Sequence, residues 1–248
     1  MNKLPLSRNF LLILSLILAL PPFLFSNIAF ANEVEDAKLS KNLATLYRSA
    51  RKVISDNQAL INDASKGDKG LSATAVTTRA KAIYKKAAGQ TLSIGKYEKK
   101  LLAAVTKVMN DAQDLINQKD VGFKGFLPAI FARQVATEFS SATDGLLTIK
   151  LTAPKNYVRN RANRPDKWES NIIENSFRSA DYPKGRPKYE TTTVKGKPAF
   201  RYILPEYYAE SCLKCHGEPK GDIDITGGKK EGGVFGELGG AISLVLFK

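Results

Sequence analysis

Both cysteines and the only histidine of this 248-residue sequence lie within five consecutive positions. The run reads Cys212, Leu213, Lys214, Cys215, His216. In a c-type haem site, each thiol adds to a vinyl group of the porphyrin and the following histidine ligates the iron. Two intervening residues let both sulfurs reach their vinyl groups from one short turn. The motif therefore predicts one covalent haem c on Cys212 and Cys215, with His216 as the proximal iron ligand.

Three other uses of this motif explain it less well. A structural zinc site usually needs four Cys or His ligands, and the sequence offers three. A thioredoxin-like C-x-x-C needs a helix after it, whereas Gly217, Pro219 and Gly221 stop any helix just past His216. A plain disulfide leaves His216 unexplained. Haem attachment is the interpretation that uses all three residues.

A bound haem also brings two propionates, which need cations or hydrogen-bond donors when they are buried. Arg159, Arg161 and Arg164 form the densest guanidinium cluster in the chain. Guanidinium groups bind carboxylates through two parallel hydrogen bonds. We expect at least one of the three to contact a propionate, and a solvated basic loop is the alternative.

The second axial position of the iron has one sulfur candidate. Met109 is the only methionine after Met1, and a thioether ligand would raise the reduction potential. Its position on the apolar stripe of a predicted helix makes core packing the competing explanation. A lysine, a tyrosine or an open position that binds a gas are further alternatives.

The remaining site chemistry is sparse. Aromatic side chains near the motif are expected either on the porphyrin or in the ordinary core. No nucleophile has a base to activate it, because the only histidine is assigned to iron. We therefore expect a protein that is not an enzyme. The aromatic candidates are Trp168, Tyr202, Tyr207 and Tyr208.

The first 31 residues have the parts of a secretory signal peptide. Lys3 and Arg8 precede an apolar run over residues 10–20, and Ala29 and Ala31 form an A-x-A exit. Cleavage after Ala31 would export the chain to the periplasm or the thylakoid lumen, which agrees with haem coupling outside the cytoplasm. The alternative is an uncleaved anchor, and no later stretch is apolar enough to span a membrane.

The mature chain is strongly basic. Cleavage after Ala31 would remove two of the 38 Lys and Arg and none of the 24 Asp and Glu. The mature chain would then have a net charge of +12. An exported chain without a DNA-binding motif is not expected to bind nucleic acid. Haem propionates, an acidic redox partner protein or an anionic membrane surface are the expected targets.

Hydrophobic periodicity predicts an α+β fold. Amphipathic helices are expected over residues 33–62, 71–88, 96–118 and 129–140. Strands are expected over 146–152 and 239–247, with a hairpin of 188–194 and 199–204 and a short helix after Pro165. Residues 217–233 hold six glycines and are expected to wrap the haem edge. We divide the chain into a signal peptide (1–31), a helical region (32–120) and a haem domain (121–248).

The C-terminal half also resembles a family of exported single-haem proteins, formerly a domain of unknown function, whose haem domain is PAS-like. The resemblance implies a five-stranded antiparallel PAS-like sheet holding one haem c, with a role in electron transfer or redox chemistry. The alternative that it implies is a redox or gas sensor, which would signal through a partner protein because no output segment follows. Some family members use a distal cysteine, and no cysteine is left here for that role. The matching stretches are residues 123–133, 150–154, 159–169 and 212–217.

Overall fold

The computed structural model describes residues 22–248, with side chains described from Asn32 onward. Most of the predicted signal peptide, including its apolar run, lies outside the described residues. In this part of the chain, six helices precede the sheet: α1 (Pro22–Asp56), α2 (Gln58–Ile61), α3 (Ala73–Ala88), α4 (Lys96–Asp111), α5 (Gln113–Asn117) and α6 (Pro128–Ala142). The remaining elements are β1 (Leu147–Thr152), α7 (Lys167–Ile172), β2 (Lys188–Val194), β3 (Lys197–Tyr207), α8 (Glu210–His216) and β4 (Leu238–Phe247).

Local signals place the helix ends close to their predicted positions. The Ser72 hydroxyl accepts a hydrogen bond from the Ala75 amide at 3.2 Å and caps α3, which ends at Gly89 in the left-handed conformation. The helix predicted over 33–62 is interrupted at Asn57, whose side-chain amide donates to the Val53 carbonyl at 2.7 Å. Such a side-chain bond competes with continued helical hydrogen bonding.

The sheet is antiparallel with strand order β1-β4-β3-β2. The predicted hairpin is confirmed, with Lys195 and Gly196 at positive φ between β2 and β3. The implied count of five strands is wrong for the described residues, which form four. Between β1 and β2 the chain forms short 3-10 turns, α7 and a π-helical segment (Ile173–Phe177) instead. Prolines at positions 154, 165, 183 and 187 interrupt extended pairing in that segment.

The larger hydrophobic core lies between the helices and one face of the sheet. Tyr202 and Leu204 of β3 face this core, while Ile203 faces a smaller core beneath α7 and the π-helical segment. Strand alternation explains the division, because successive side chains point to opposite faces. The α+β class is confirmed, and the helical region shares its core with the sheet. The predicted boundary at residue 120 is therefore not marked by a break in the core.

Two features frame the motif. Helix α8 follows β3 after two residues and ends at Gly217, as the glycines predicted. A Cβ atom at Gly217 would lie only 2.5 Å from the Leu213 carbonyl oxygen, so glycine is needed at this close approach.

Within residues 22–248, no helix is both long and apolar enough to cross a bilayer.

Candidate functional site

The motif lies on α8 and in its last turn. Cys212 and Cys215 are half-buried free thiols, and His216 is half-buried at the end of the helix. Residues three apart share a helix face, so the two thiols lie on one side of α8. In a thioredoxin-like site a helix continues after the second cysteine. Here α8 ends at His216, one residue after Cys215, which separates this site from that class.

The imidazole of His216 is held by a buried carboxylate. Its Nδ1 atom lies 2.8 Å from Oε2 of Glu231, whose side chain is 8% exposed. With Nδ1–H donating to the carboxylate, the lone pair of the ring remains on Nε2, which is the usual metal-binding atom in such carboxylate–histidine pairs. The structure therefore orients the side chain that the sequence predicts as the iron ligand.

Arg159 connects the motif to the glycine-rich segment that follows it. Its guanidinium group forms ion pairs with Asp224 and Glu231. The same group donates to the backbone carbonyls of Cys215 at 2.6 Å and Lys229 at 2.9 Å. The donors of Arg159 are thus already used by this chain, and the residue joins Cys215 to the partner of His216.

These contacts shift several pKa values. Burial acts to raise the pKa of Glu231, but hydrogen bonds from Arg159 and His216 outweigh it and hold that pKa below its usual range. Burial also acts to raise the pKa of Asp224, but hydrogen bonds from Thr226 and Arg159 lower that pKa to about 2. Burial raises the pKa of the Cys215 thiol. Cys215 therefore lacks the depressed pKa of a reactive redox thiol.

Tyr208 supports the other side of the histidine. Its ring stacks on the His216 ring with centroids 5.5 Å apart. Gly233 and Gly239 face the Tyr208 ring so closely that a Cβ atom at either position would collide with it. The Gly233 amide also donates to the His216 carbonyl at 2.7 Å. The glycines thus give the tyrosine room beside the predicted ligand.

Helix α1 packs against the N-terminal side of the motif. The hydroxyls of Ser55 and Ser211 are 2.9 Å apart. Arg48 and Arg51 both form ion pairs with Glu206, which lies near the end of β3. Because residues 48, 51 and 55 share one face of a helix, these bonds fix α1 next to Ser211 and Cys212. Sequence reasoning did not identify this contact.

The other predicted site residues lie apart from this group. Arg161 and Arg164 are exposed and have no ion pair within the described residues. Met109 is fully buried in the larger core, whose members include no residue of α8. Tyr202 also lies in that core, and Trp168 packs under the Arg201 guanidinium 4.1 Å away. Propionate binding by the arginines and iron binding by Met109 remain predictions.

The residues present fit a haem c. The donor set is two free thiols and an imidazole oriented through Nδ1. The segment after the motif also exposes several large apolar side chains, which a porphyrin face could cover. These are Ile223, Ile225, Val234 and Phe235, between 54% and 66% exposed.

Glu231 and Asp224 are candidate site residues that sequence reasoning missed. Glu231 lies 15 positions beyond His216 in a glycine-rich segment without periodicity. No spacing rule pairs residues across such a segment, because its path depends on left-handed glycine conformations.

Comparison with known proteins assigns the chain to a protein family. No curated protein and no solved structure matches it. A protein-family model described as Tll0287-like (Tll0287) matches residues 35–246. The match includes the sheet except for the last residue of β4, the helices except for the start of α1, the motif and Glu231. Because this match covers most of the sequence, the chain belongs to the Tll0287-like family.

Proposed function

We propose that this protein is an exported monohaem c-type protein that acts in electron transfer or redox chemistry. The observation that carries the proposal is the hydrogen bond of 2.8 Å between His216, the histidine of the C-x-x-C-H motif, and Glu231. Cys212 and Cys215 would hold the haem through thioethers, and His216 would ligate its iron through Nε2. When bound, the haem supplies a one-electron couple.

The surrounding residues have defined tasks in this proposal. Glu231 holds the His216 ring in one tautomer and makes the imidazole a stronger electron donor, which favours the oxidised iron. Arg159 limits that effect, because its positive charge lowers the basicity of the same carboxylate. With Glu231 paired to Arg159, the reduction potential would lie between two values. One is the value expected if His216 donated to an unpaired carboxylate, and the other is the value expected if it donated to a neutral group.

The network also favours electron transfer over bond-making chemistry. His216 is held by Glu231, by Tyr208 and through its own carbonyl by Gly233. A ligand held on several sides moves little when the charge of the iron changes, which suits a carrier. No second histidine is available for acid–base catalysis, so the proposal does not include an enzymatic activity.

The test is an ultraviolet–visible spectrum of protein expressed with the haem-maturation machinery. We expect a Soret band, and a pyridine haemochrome of the two-thioether type. Absence of both bands from correctly exported protein would contradict the proposal. Sequencing the N-terminus of the same sample tests export, because cleavage after Ala31 leaves Asn32 as the first residue.

The second candidate is a haem-based redox or gas sensor. The observation that favours it is the complete burial of Met109 in the larger core, which argues against a thioether as the distal ligand. A site without a strong distal ligand binds carbon monoxide rapidly. A fast spectral shift of the reduced protein with carbon monoxide would support the sensor, and no shift would support the carrier.

A further inference from the structure

The positive charge of the chain is concentrated in one part of the helical region. Residues 73–111, which contain α3 and α4, hold eight Lys and Arg and two Asp or Glu. Their net charge of +6 compares with +12 for all of residues 32–248. One carboxylate, Glu98, is buried and accepts a hydrogen bond from the Gly95 amide at 3.2 Å. The other, Asp111, pairs with Lys107 at the far end of α4. Neither carboxylate therefore neutralises the cations near the loop that joins these helices.

The fold brings the densest part of this charge to one end of a helical hairpin. Helices α3 and α4 pack against each other and are joined by residues 89–95. The last turn of α3 and the first turn of α4 therefore lie at the same end. We call this end the α3–α4 tip. Its members are Lys85, Lys86, Ile94, Lys96 and Lys99.

The four lysines of the tip are exposed and form no ion pair within the described residues. Nearby cations differ in this respect. Lys107 pairs with Asp111 at 2.7 Å, and Lys100 donates to the Ala142 carbonyl at the end of α6. Those two lysines have hydrogen-bonded partners, whereas the tip lysines have none within the described residues. Lys96 lies only over the ring of its neighbour Tyr97, 5.5 Å from the centroid.

Helix stability does not account for the charge of the tip. Lys85 and Lys86 lie at the C-terminal end of α3, where cations are favourable. Lys96 and Lys99 lie in the first turn of α4, where the positive end of the helix dipole opposes them. Because helix stability does not explain these two cations, we attribute them to the binding of a negatively charged ligand.

The composition of the tip fits a lipid surface better than a protein. Its cations are all lysine, and lysine is depleted in protein–protein interfaces while arginine is enriched there. Lysine clusters beside an apolar side chain are typical of segments that bind anionic lipid headgroups. Ile94 supplies that side chain, because it is 44% exposed in the loop while its neighbour Leu92 is buried and anchors the loop.

We infer that the α3–α4 tip docks the protein on a membrane surface that contains anionic lipid. The four lysines would contact the headgroups, and Ile94 would enter the interfacial layer. This inference is independent of haem binding.

The test is co-sedimentation of the purified haem-loaded protein with vesicles. We expect binding to vesicles of equal parts phosphatidylcholine and phosphatidylglycerol, weakening with salt, and none to phosphatidylcholine alone. Changing Lys85, Lys86, Lys96 and Lys99 together to Gln should weaken binding on the order of 100-fold or more. Ile94→Ser should weaken vesicle binding several-fold, and this difference from the wild type should persist at high salt.

A matched control removes four exposed lysines elsewhere, namely Lys155, Lys167, Lys195 and Lys197, and should leave most of the binding intact. Equal loss in both quadruple variants would overturn the inference, because net charge alone would then explain binding. Failure of the wild-type protein to bind anionic vesicles would also overturn it, as would binding to soluble polyglutamate in place of vesicles. The Soret absorbance of each sample reports haem content separately, so these outcomes do not depend on the proposed function.

Discussion

Glu231 accepts a hydrogen bond of 2.8 Å from Nδ1 of His216, although a glycine-rich segment separates the two residues in sequence. The same carboxylate is bound by Arg159, which also donates to the carbonyl of Cys215. Cys215 and His216 are thereby tied to the glycine-rich segment and to the loop that carries Arg159.

Glu231→Gln should raise the reduction potential. The neutral amide accepts a weaker hydrogen bond from His216, so the imidazole donates less to the oxidised iron. If the oxidised state loses about 1 kcal/mol of stabilisation, the reduction potential of this one-electron couple rises by about 40 mV. Spectroelectrochemical titration measures this rise. Glu237→Gln is the control, because Glu237 bonds the Tyr157 hydroxyl at 2.8 Å, so its potential should stay near that of wild type.

Both thiols should carry haem. Cys212→Ser and Cys215→Ser should each retain one thioether, and the double variant should release its haem into acidified organic solvent. Intact-protein mass spectrometry measures the covalent increment in each case. Haem that stays covalently bound in the double variant would contradict attachment through these two side chains.

Arg159→Gln should destabilise the folded protein. Asp224 is fully buried and Glu231 nearly so, and removal of their shared cation leaves two carboxylates without it. Because Arg159 itself is partly exposed, we expect a loss of about 2 kcal/mol and a Tm lower by about 6 °C. Differential scanning calorimetry measures this. Arg161→Gln and Arg164→Gln, at exposed positions without ion pairs in the described chain, should change Tm little.

Acid should remove part of the stability through Asp224. Its pKa is about 2 in the folded protein, compared with about 3.9 in an unfolded chain. Since the folded pKa is the lower one, the contribution is complete above about pH 4 and is lost as the pH falls towards 2, by about 2 kcal/mol. Urea unfolding across this range measures it. Asp224→Asn should lack this part of the pH dependence, and a parallel decline in both proteins would contradict the assignment.

Met109 should act through packing. Met109→Ala should cost about 2–5 kcal/mol of unfolding free energy because it leaves a cavity in a fully buried position. Met109→Leu should cost less than about 1.5 kcal/mol. Urea unfolding measures both. Neither variant should change the haem spectrum, and a shifted Soret band in either would identify Met109 as a ligand after all.

Much of the architecture was accessible from the sequence because it depends on short-range periodicity. The amphipathic stripes of α3 and α4, the hairpin around Lys195 and Gly196, and the apolar final strand all appear close to their predicted bounds. The C-x-x-C-H motif was equally accessible, since its three residues are neighbours in sequence. The strand count was not, because it came from resemblance, and the prolines of residues 153–187 favour turns and helices there.

The tertiary structure decided which distant side chains meet. Nothing local distinguishes Arg159 from Arg161 and Arg164, yet only Arg159 reaches Asp224 and Glu231. The chain conformation around the left-handed glycines of residues 217–237 brings Glu231 back to His216, and a loop path of that kind leaves no periodic trace in the sequence. Periodicity reports the burial of one element at a time, whereas a site assembled from a helix and two loops depends on how those elements pack together.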